Sequence, residues 1–403
     1  MIFFIFSGAL AAQAVSTQYL DDLNNFKNKS LTLQTERQNL ESASDILLSK
    51  KLFWTPKLSL SAHEVQTKIN SENYSDVNYL AADLSLNLFR GGSDLNSLSA
   101  ASAQRKAQEL QVLNESLNVE VKASDLIFKS LYLAETVRIQ EQFLKLKEES
   151  LKILKDRYSQ GKLPLQEVTK SEVDLTQQKS KFRSANLDQV ENKSQIVSYF
   201  VDEVQTKDWP FDESTTVSNS STVILPLVQQ KYWASQSREE TWRSIKGEHW
   251  PSLDLHLQYQ EASIKERQNN QLVGMISLTL PIWNRFETSA QVSTAYSEYL
   301  NSLNLYKDTD QSLKQKNSFL REKMNTTRLN LTEAKRNLQA ARKLYQDILK
   351  SFRIGRMSTN DLLLEQNRLL ESENSLALSQ LTFHQSLIET CALSGLNAAN
   401  CLR

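Results

Sequence analysis

From Ser93 to Gln160 the chain runs 68 residues without a glycine or a proline, and from Asn284 to Ile354 it runs another 71. Those are the residues that most readily stop a helix, glycine through backbone freedom and proline through its missing N–H. With nothing to break it, each run is expected to be one helix on the order of 100 Å long. Globular helices are seldom so long, which leaves a coiled coil, a membrane element or a helical repeat. Glycine and proline are scarce throughout, at 8 and 6 in 403 residues, where average usage would give roughly 28 and 20. The hydrophobic fraction of 40% is low for one large core and suits thin, elongated packing.

The two runs end in the same way. "RYSQGKLPLQEV" at 157–168 and "SFRIGRMSTNDL" at 351–362 place Gly161 and Gly355 at the same point of the same turn, 194 residues apart. At an offset of 194 or 195, "WTPKLSLSA" at 54–62 matches "HWPSLDLHL" at 249–257, and "LSLNLFRGG" at 84–92 matches "LTLPIWNRF" at 278–286. The chain is therefore two copies of one unit. The first copy is residues 15–209, with a β-hairpin at 57–89 and a long helix at 93–160. The second is 210–403, with a hairpin at 252–283 and a long helix at 284–354. In each the order is helix, hairpin, long helix, glycine turn, return helix. The boundary falls near Trp209-Pro210, in the polar connector "KDWPFDESTTVSNSSTV".

The strands alternate with period two. Leu58, Leu60 and Ala62 share one face, and so do Leu80, Ala82, Leu84, Leu86 and Leu88. In the second copy Leu253, Leu255, Leu257 and Tyr259 oppose Asp254, His256 and Gln258, followed by Ile276, Leu278, Leu280 and Ile282. The segments between paired strands, "NSENYSDV" and "EASIKERQNN", read as polar loops. This is the pattern of transmembrane β-strands, though one face of a soluble sandwich would alternate identically. Phe53, Trp54, Phe89, Trp250 and Trp283 gather at one end of the hairpins, as aromatics do at a membrane–water boundary. Four strands close no barrel, and an open edge in lipid leaves unpaired backbone groups. Copies of the chain must lend strands, and three copies would supply twelve.

Apolar residues recur every seven along the helices: Val137, Leu144, Leu151 and Tyr158, then Leu331, Leu338, Tyr345 and Phe352. After the turns come Val168, Leu175 and Phe182, and Leu362, Leu369, Leu376 and Phe383. Such spacing favours left-handed coiled-coil packing of each long helix on its return helix.

The first residues, "MIFFIFSGALAAQAVS", combine an apolar run with an A-x-A site, the pattern of an export signal over 1–14. A buried N-terminal strand is the other reading. In an exported chain Cys391 and Cys401 are a candidate disulfide, with two free thiols as the alternative.

These features together resemble the TolC-like outer-membrane efflux family over essentially the whole mature chain. The doubled strand starts, "LFRGG" at 88–92 and the doubled tips carry the resemblance. It implies a mostly α-helical coiled-coil tunnel plus a β-barrel completed by trimerisation, in the outer membrane of a bacterium with a helical domain in the periplasm. It implies a passive duct of an efflux or type I secretion system, opened through a periplasmic adaptor and an inner-membrane pump. Gly161, Lys162 and Leu163, with Gly355, Arg356 and Met357, become adaptor-docking tips. A family member is closed by a tyrosine, an arginine and an aspartate. Here Phe352 and Met357 stand at two of those places and cannot make the bonds, while Glu167 keeps the acidic place. Glu167, Phe352 and Asp361 are thus the candidate gate, with Lys162 or Arg356 available to the acids. Gly91 and Gly92 read as the strand-to-helix swivel.

No catalytic constellation, cofactor motif or metal cluster is expected. His63, His249, His256 and His384 are scattered, and "FRGGSD" lacks the Gly-Lys-Ser/Thr of a phosphate loop. Equal numbers of basic and acidic residues, 47 each, leave no footprint for nucleic acid. Charged runs such as "KLKEESLKILKDR" at 145–157 read as solvated faces. The competing class is a periplasmic coiled-coil structural protein, which would have no use for two lipid-patterned hairpins.

Overall fold

The structure, a computed structural model, describes residues 16–69, 73–200, 204–212, 215, 217, 225–264, 267–283 and 285–401. The export signal read at 1–14 lies outside these residues, as do much of the polar connector and Asn284 at the expected start of the second long helix.

Among the described residues twelve elements follow in order: α1 (Thr17–Lys29), α2 (Leu31–Lys51), β1 (Lys57–Ile69), β2 (Asn73–Arg90), α3 (Ser93–Ser159), α4 (Leu165–Phe200), α5 (Pro226–Gly247), β3 (Ser252–Ile264), β4 (Arg267–Thr279), α6 (Glu287–Arg353), α7 (Thr359–Leu393) and α8 (Ala398–Cys401). α3 and α6 have 67 residues each, and both their first and their last residues lie 194 apart. Among the described residues no helix is long and apolar enough to cross a membrane.

The four strands form one antiparallel sheet in the order β1-β2-β3-β4. Directly paired residues lie on the same face of a sheet, so the register joins the apolar positions into rows. Leu58 pairs with Leu84 and Leu84 with Leu257; Leu255 pairs with both Leu86 and Ile276; Leu253 pairs with Leu278. The opposite face carries Ser59, Asp83 and Gln258 in one row, and Asn87 and Asp254 in another, where the Asn87 amide donates to the Asp254 carboxylate at 2.7 Å. The strands reach further toward their turns than the sequence suggested. Asn73–Val77, read as loop, belongs to β2, and Glu261–Ile264 and Arg267–Asn270 extend β3 and β4. A ladder bonds backbone to backbone, so polar side chains do not end it. β4 stops at Thr279, short of the expected 283, ahead of Pro281, which has no N–H for a ladder bond.

Among the described residues nothing covers the apolar face. Leu58 and Leu60 are each 75% exposed, and Leu272, Ile276 and Leu278 lie equally open. β1 and β4 are the sheet's edges, each with one strand neighbour.

The chain divides into two compact units that cut across the sequence repeats. One takes Thr35–Leu113 and Pro226–Ser312 and contains the sheet; the other takes Met1–Gln34, Asn114–Leu225 and Leu313–Arg403. In the second, Ile139, Phe143, Leu151 and Leu154 of α3 and Val168 of α4 share a core with Leu338, Tyr345 and Phe352 of α6 and Leu362, Leu369 and Leu370 of α7. The α6 stripe 331/338/345/352 is buried throughout. The matching α3 stripe is not. Val137 and Leu144 are half-buried and Tyr158 is exposed, while Phe143 and Leu154 sit inside instead. The seven-residue spacing itself survives on another row, Val119, Leu126, Leu133, Gln140, Lys147 and Leu154, so the buried face of α3 is offset from its apolar stripe and takes in two polar residues.

Polar anchors hold the chain around this core. The buried Asp22 carboxylate of α1 accepts from the backbone N–H of Gln205 and Thr206 and, at 2.7 Å, from the Thr206 hydroxyl. Glu120 of α3, also buried, accepts from Lys27 of α1 and from the Ala398 N–H that opens α8. His384 of α7 stands among the rings of Phe128, Trp209, Phe211 and Phe383. Its Nδ1 lies 2.7 Å from the Gln380 carbonyl oxygen and its Nε2 3.0 Å from that of Phe211. A neutral imidazole has one N–H and donates to one of the two. Burial holds the ring neutral and pulls its pKa down to about 4, against the opposite pull of both carbonyls and of Asp212.

A histidine whose pKa is depressed on folding contributes stability that is complete above its unfolded pKa, near 6.5, and is lost as pH falls toward 4. Wild-type protein should lose about 3 kcal/mol across that window through this group. His384→Gln keeps a donor and removes the titration. Urea midpoints measured from pH 7 to 4 should fall less steeply for the variant; parallel curves would remove His384 from the account.

Candidate functional site

The two glycine turns are the most alike parts of the repeats. At the end of α3 the Lys162 N–H reaches the Arg157 carbonyl at 3.0 Å and the Gly161 N–H reaches that of Tyr158 at 2.9 Å. At the end of α6 Arg356 reaches Ser351 at 2.9 Å and Gly355 reaches Phe352 at 3.0 Å. These are paired six-to-one and five-to-two bonds that close a helix on a left-handed glycine. Gly161 has φ +69° and Gly355 +78°. A Cβ at either would meet nothing within 4 Å, so the requirement there is for backbone angle and not for space.

The chain restarts differently after each turn. α4 begins behind Pro164, whose carbonyl accepts the Glu167 N–H at 3.2 Å. α7 begins at a capping box: the Asp361 N–H donates to the Ser358 hydroxyl, and the Asp361 carboxylate accepts from both the hydroxyl (2.7 Å) and the N–H of Ser358. Lys162, Arg356 and Met357 are exposed beside the glycines, whereas Leu163 turns inward and packs against the core.

The candidate gate residues do not form a network. Asp361 is committed to Ser358, whose hydroxyl and N–H hold its pKa below the usual carboxylate value. Phe352 is fully buried. Glu167 has one carboxylate oxygen buried without a partner among the described residues, and no ion pair joins Lys162 or Arg356 to either acid there. Two charges in the same region are drawn out of water. Lys147 has a side chain only 4% exposed, 3.2 Å from the Asn367 side-chain oxygen and 3.7 Å from Asp174, and burial lowers its pKa. Arg157 is half-buried against Phe352, with its guanidinium 4.2 Å over the ring and a 2.7 Å bond to the Phe352 carbonyl. Both residues belong to the charged run that the sequence suggested was a solvated face. A buried lysine and a solvated one occupy equivalent-looking places in such a run, and only the partner helices distinguish them.

At the strand-to-helix swivel Gly91 and Gly92 have φ +56° and +78°. A Cβ on Gly91 would come within 2.3 Å of the Gly247 carbonyl oxygen and 2.5 Å of Trp250 Cβ. In the second repeat the same places are filled by Arg285 and Phe286, which adopt φ +54° and +63°. The repeat kept the backbone path and lost the glycines. Phe286 is exposed and packs edge-on against Trp283, ring centroids 4.8 Å apart. Cys391 and Cys401 are joined by a disulfide that ties α8 to α7. Among the described residues no group of His, Cys, Asp and Glu is placed to hold a metal ion.

No family model matches this sequence, and neither does any curated protein. Solved structures do match. The chain is similar to the outer membrane protein VceC of Vibrio cholerae, at 12% identity, over 94% of this chain and 96% of that one, with a TM-score of 0.84. It is similar to the CmeC outer membrane channel of Campylobacter jejuni, at 16% identity, over 94% and 86%, with a TM-score of 0.80. It is also similar to the Neisseria gonorrhoeae MtrE outer membrane channel in its open state, at 16% identity, over 94% and 89%, with a TM-score of 0.81. The chain thus has the fold of the TolC-like outer-membrane channels, long helical hairpins combined with a four-stranded share of a barrel.

The swivels give a direct test. A side chain in the left-handed region costs roughly 1–2 kcal/mol, and glycine's extra freedom in the unfolded chain offsets up to about 1 kcal/mol of any relief. Arg285→Gly should therefore be neutral or stabilising by up to about 1 kcal/mol. Gly91→Ala adds a backbone clash to the same angle and should cost at least about 3 kcal/mol. Denaturation midpoints of the two variants in one detergent would measure both; equal and opposite shifts are not expected.

Proposed function

We propose that three copies of this chain close a twelve-stranded barrel in the outer membrane of a bacterium. The helices then form the periplasmic tunnel of an efflux or type I secretion duct, a passive path opened through a periplasmic adaptor and an inner-membrane pump. The observation that carries the reading is the sheet. Its apolar face is uncovered and its edge strands lack partners, which suits lipid on one side and neighbouring copies at both edges. The pairing inside the chain already supplies a template. β2 closes the first hairpin and pairs antiparallel with β3, which opens the second. A β4-to-β1 bond between copies joins the same two kinds of strand. The exposed Trp54, Phe89, Trp250, Trp283 and Phe286 at the helix end of the strands suit the membrane–water boundary. In this reading the exposed tips are the docking points, six per trimer and alternately of two kinds.

Assembly can be measured directly. Detergent-extracted protein should have about three times the 46.1 kDa precursor mass, less the signal peptides. It should migrate differently when heated. A monodisperse monomer that keeps its strand content would end the barrel reading and leave a periplasmic coiled-coil protein.

The tips are tested separately. Gly355→Val forces a β-branched residue to φ +78°, at a cost on the order of 1–3 kcal/mol. Export and adaptor cross-linking should both fail while the trimer stays inserted. Normal export together with normal cross-linking would place docking elsewhere on the helices.

A further inference from the structure

Lys147 is the only lysine or arginine buried among the described residues. Its ammonium has three hydrogens to donate. Asn367 takes one at 3.2 Å, and Asp174, at 3.7 Å, stands beyond hydrogen-bond range. Two donors are left unspent on a side chain drawn out of water, which costs stability unless a polar group meets them. Burial works against the charge, Asp174 favours it, and Lys181 repels it. Packing gives no reason for the lysine. The residue 194 further on, at the equivalent place of α6, is Ala341, buried in the core that α3 and α6 share. The second repeat fills that place with a methyl group, and the first fills it with a cation.

Lys147 lines a cleft of about 230 Å³. α4 lends the cleft Asp174, Gln177 and Lys181, and α7 lends it Asn367, Glu371 and Asn374. Spacings of three, four and seven put each set on one helix face. Among the described residues no ion pair engages Lys181 or Glu371. Two cations and two acids thus share one small space, with amides beside them. A plain anion would meet both carboxylates there, and a plain cation both ammonium groups. At ~30 Å³ per water the space equals about seven or eight waters. That is below the roughly 300–1,000 Å³ of pockets for drug-sized ligands, and leaves room for one small solute.

We propose that this cleft binds a small zwitterion of the α-amino acid class. Its carboxylate accepts from the unspent donors of Lys147 and from Lys181, and its ammonium donates to Asp174 and Glu371. Gln177 and Asn374 offer a donor and an acceptor each to whatever side chain the ligand carries. The site occurs once per chain, because the second repeat has Ala341 and Ser375 where the first has Lys147 and Lys181. It lies wholly within one of the two compact units, and it holds whether or not the chain is a channel.

The experiment uses full-length protein in detergent and saturation-transfer NMR on the ligand. Alanine is the probe. Propionate, which lacks its ammonium, and ethylammonium, which lacks its carboxylate, are the controls. Alanine should saturate one site per chain, and each control should bind at least about tenfold more weakly, as expected from losing one set of charge-assisted bonds. Lys147→Ala and Lys181→Ser install the second repeat's residues, and each should weaken alanine at least about tenfold. Lys181 is exposed, so its variant keeps the fold even where Lys147→Ala does not. Lys155→Ser, which removes an exposed lysine paired with Glu172 outside the cleft, should bind alanine as wild type does. Absence of alanine binding to wild type overturns the site, and so does equal binding by wild type and Lys181→Ser. Propionate binding as tightly as alanine overturns the zwitterion and leaves a plain anion site.

Discussion

Every backbone N–H and C=O along the outer sides of β1 and β4 needs a partner, and among the described residues no strand pairs with these edges. In water the deficit would be small, because solvent fills it. Beside an apolar face with Leu58, Leu60, Leu272, Ile276 and Leu278 laid open, solvent is the poorer surrounding. In hydrocarbon each unpaired group costs several kcal/mol. The two demands conflict within one chain. The face is best placed in lipid, and the edges cannot be left there. Pairing β4 of one copy with β1 of the next satisfies both, and it reuses the kind of contact that β2 and β3 make internally. Duplication explains how a short sheet came to have compatible edges. A repeat that pairs with its own second copy has edges that suit further copies.

The two repeats preserve backbone geometry more strictly than residue type. The tip bonds coincide to within 0.1 Å between the copies, yet one return helix starts behind Pro164 and the other on the Ser358–Asp361 box. At the swivels the left-handed angles survive where Gly91 and Gly92 have become Arg285 and Phe286. Strain of that kind persists only where surrounding structure over-determines the path. Here the path is set on one side by the β4 register and on the other by the start of α6.

Much of this architecture could be read from the sequence. The 194-residue offset found both hairpins, both long helices and both turns. Period-two alternation assigned the sheet faces correctly from Leu58 and Leu60 to Ile276 and Leu278, except at Leu88, where a register shift between Asn87 and Phe89 puts Phe89 opposite Leu253. What failed to show has several physical causes. Strand ends were hidden because "NSENYSDV" and "EASIKERQNN" are polar, and a ladder in a hairpin does not depend on side-chain polarity. Lys147 and Arg157 were hidden because burial of a charge is decided by partners on other helices, Asn367 and Asp174 for one and Phe352 for the other. Asp361 read as a free acid because its Ser358 partner lies only three residues away, where cap and gate have the same sequence pattern. The apolar stripe marks the buried row along α6 but not along α3, where that row keeps the seven-residue spacing but contains Gln140 and Lys147, which carry no apolar mark.

A seam of leucines alone would let such long helices slide by a turn at little cost, because one heptad resembles the next. The buried polar pairs resist this. Gln178 donates to both the carbonyl and the side-chain oxygen of Gln140, Gln366 donates to the Ser150 hydroxyl at 2.8 Å, and the buried Glu373 carboxylate accepts at 2.9 Å from Arg342, whose side chain stays exposed. Each joins two different helices at one register, and a one-turn slip would leave buried polar groups unpaired, at about 1–3 kcal/mol apiece. These pairs therefore contribute more to specificity than to stability, as single polar residues do in coiled-coil seams. Their distribution suits the chain's low hydrophobic content. The register is fixed along the length of the bundle by polar pairs, and at its end by Arg157, where the leucine seam runs out.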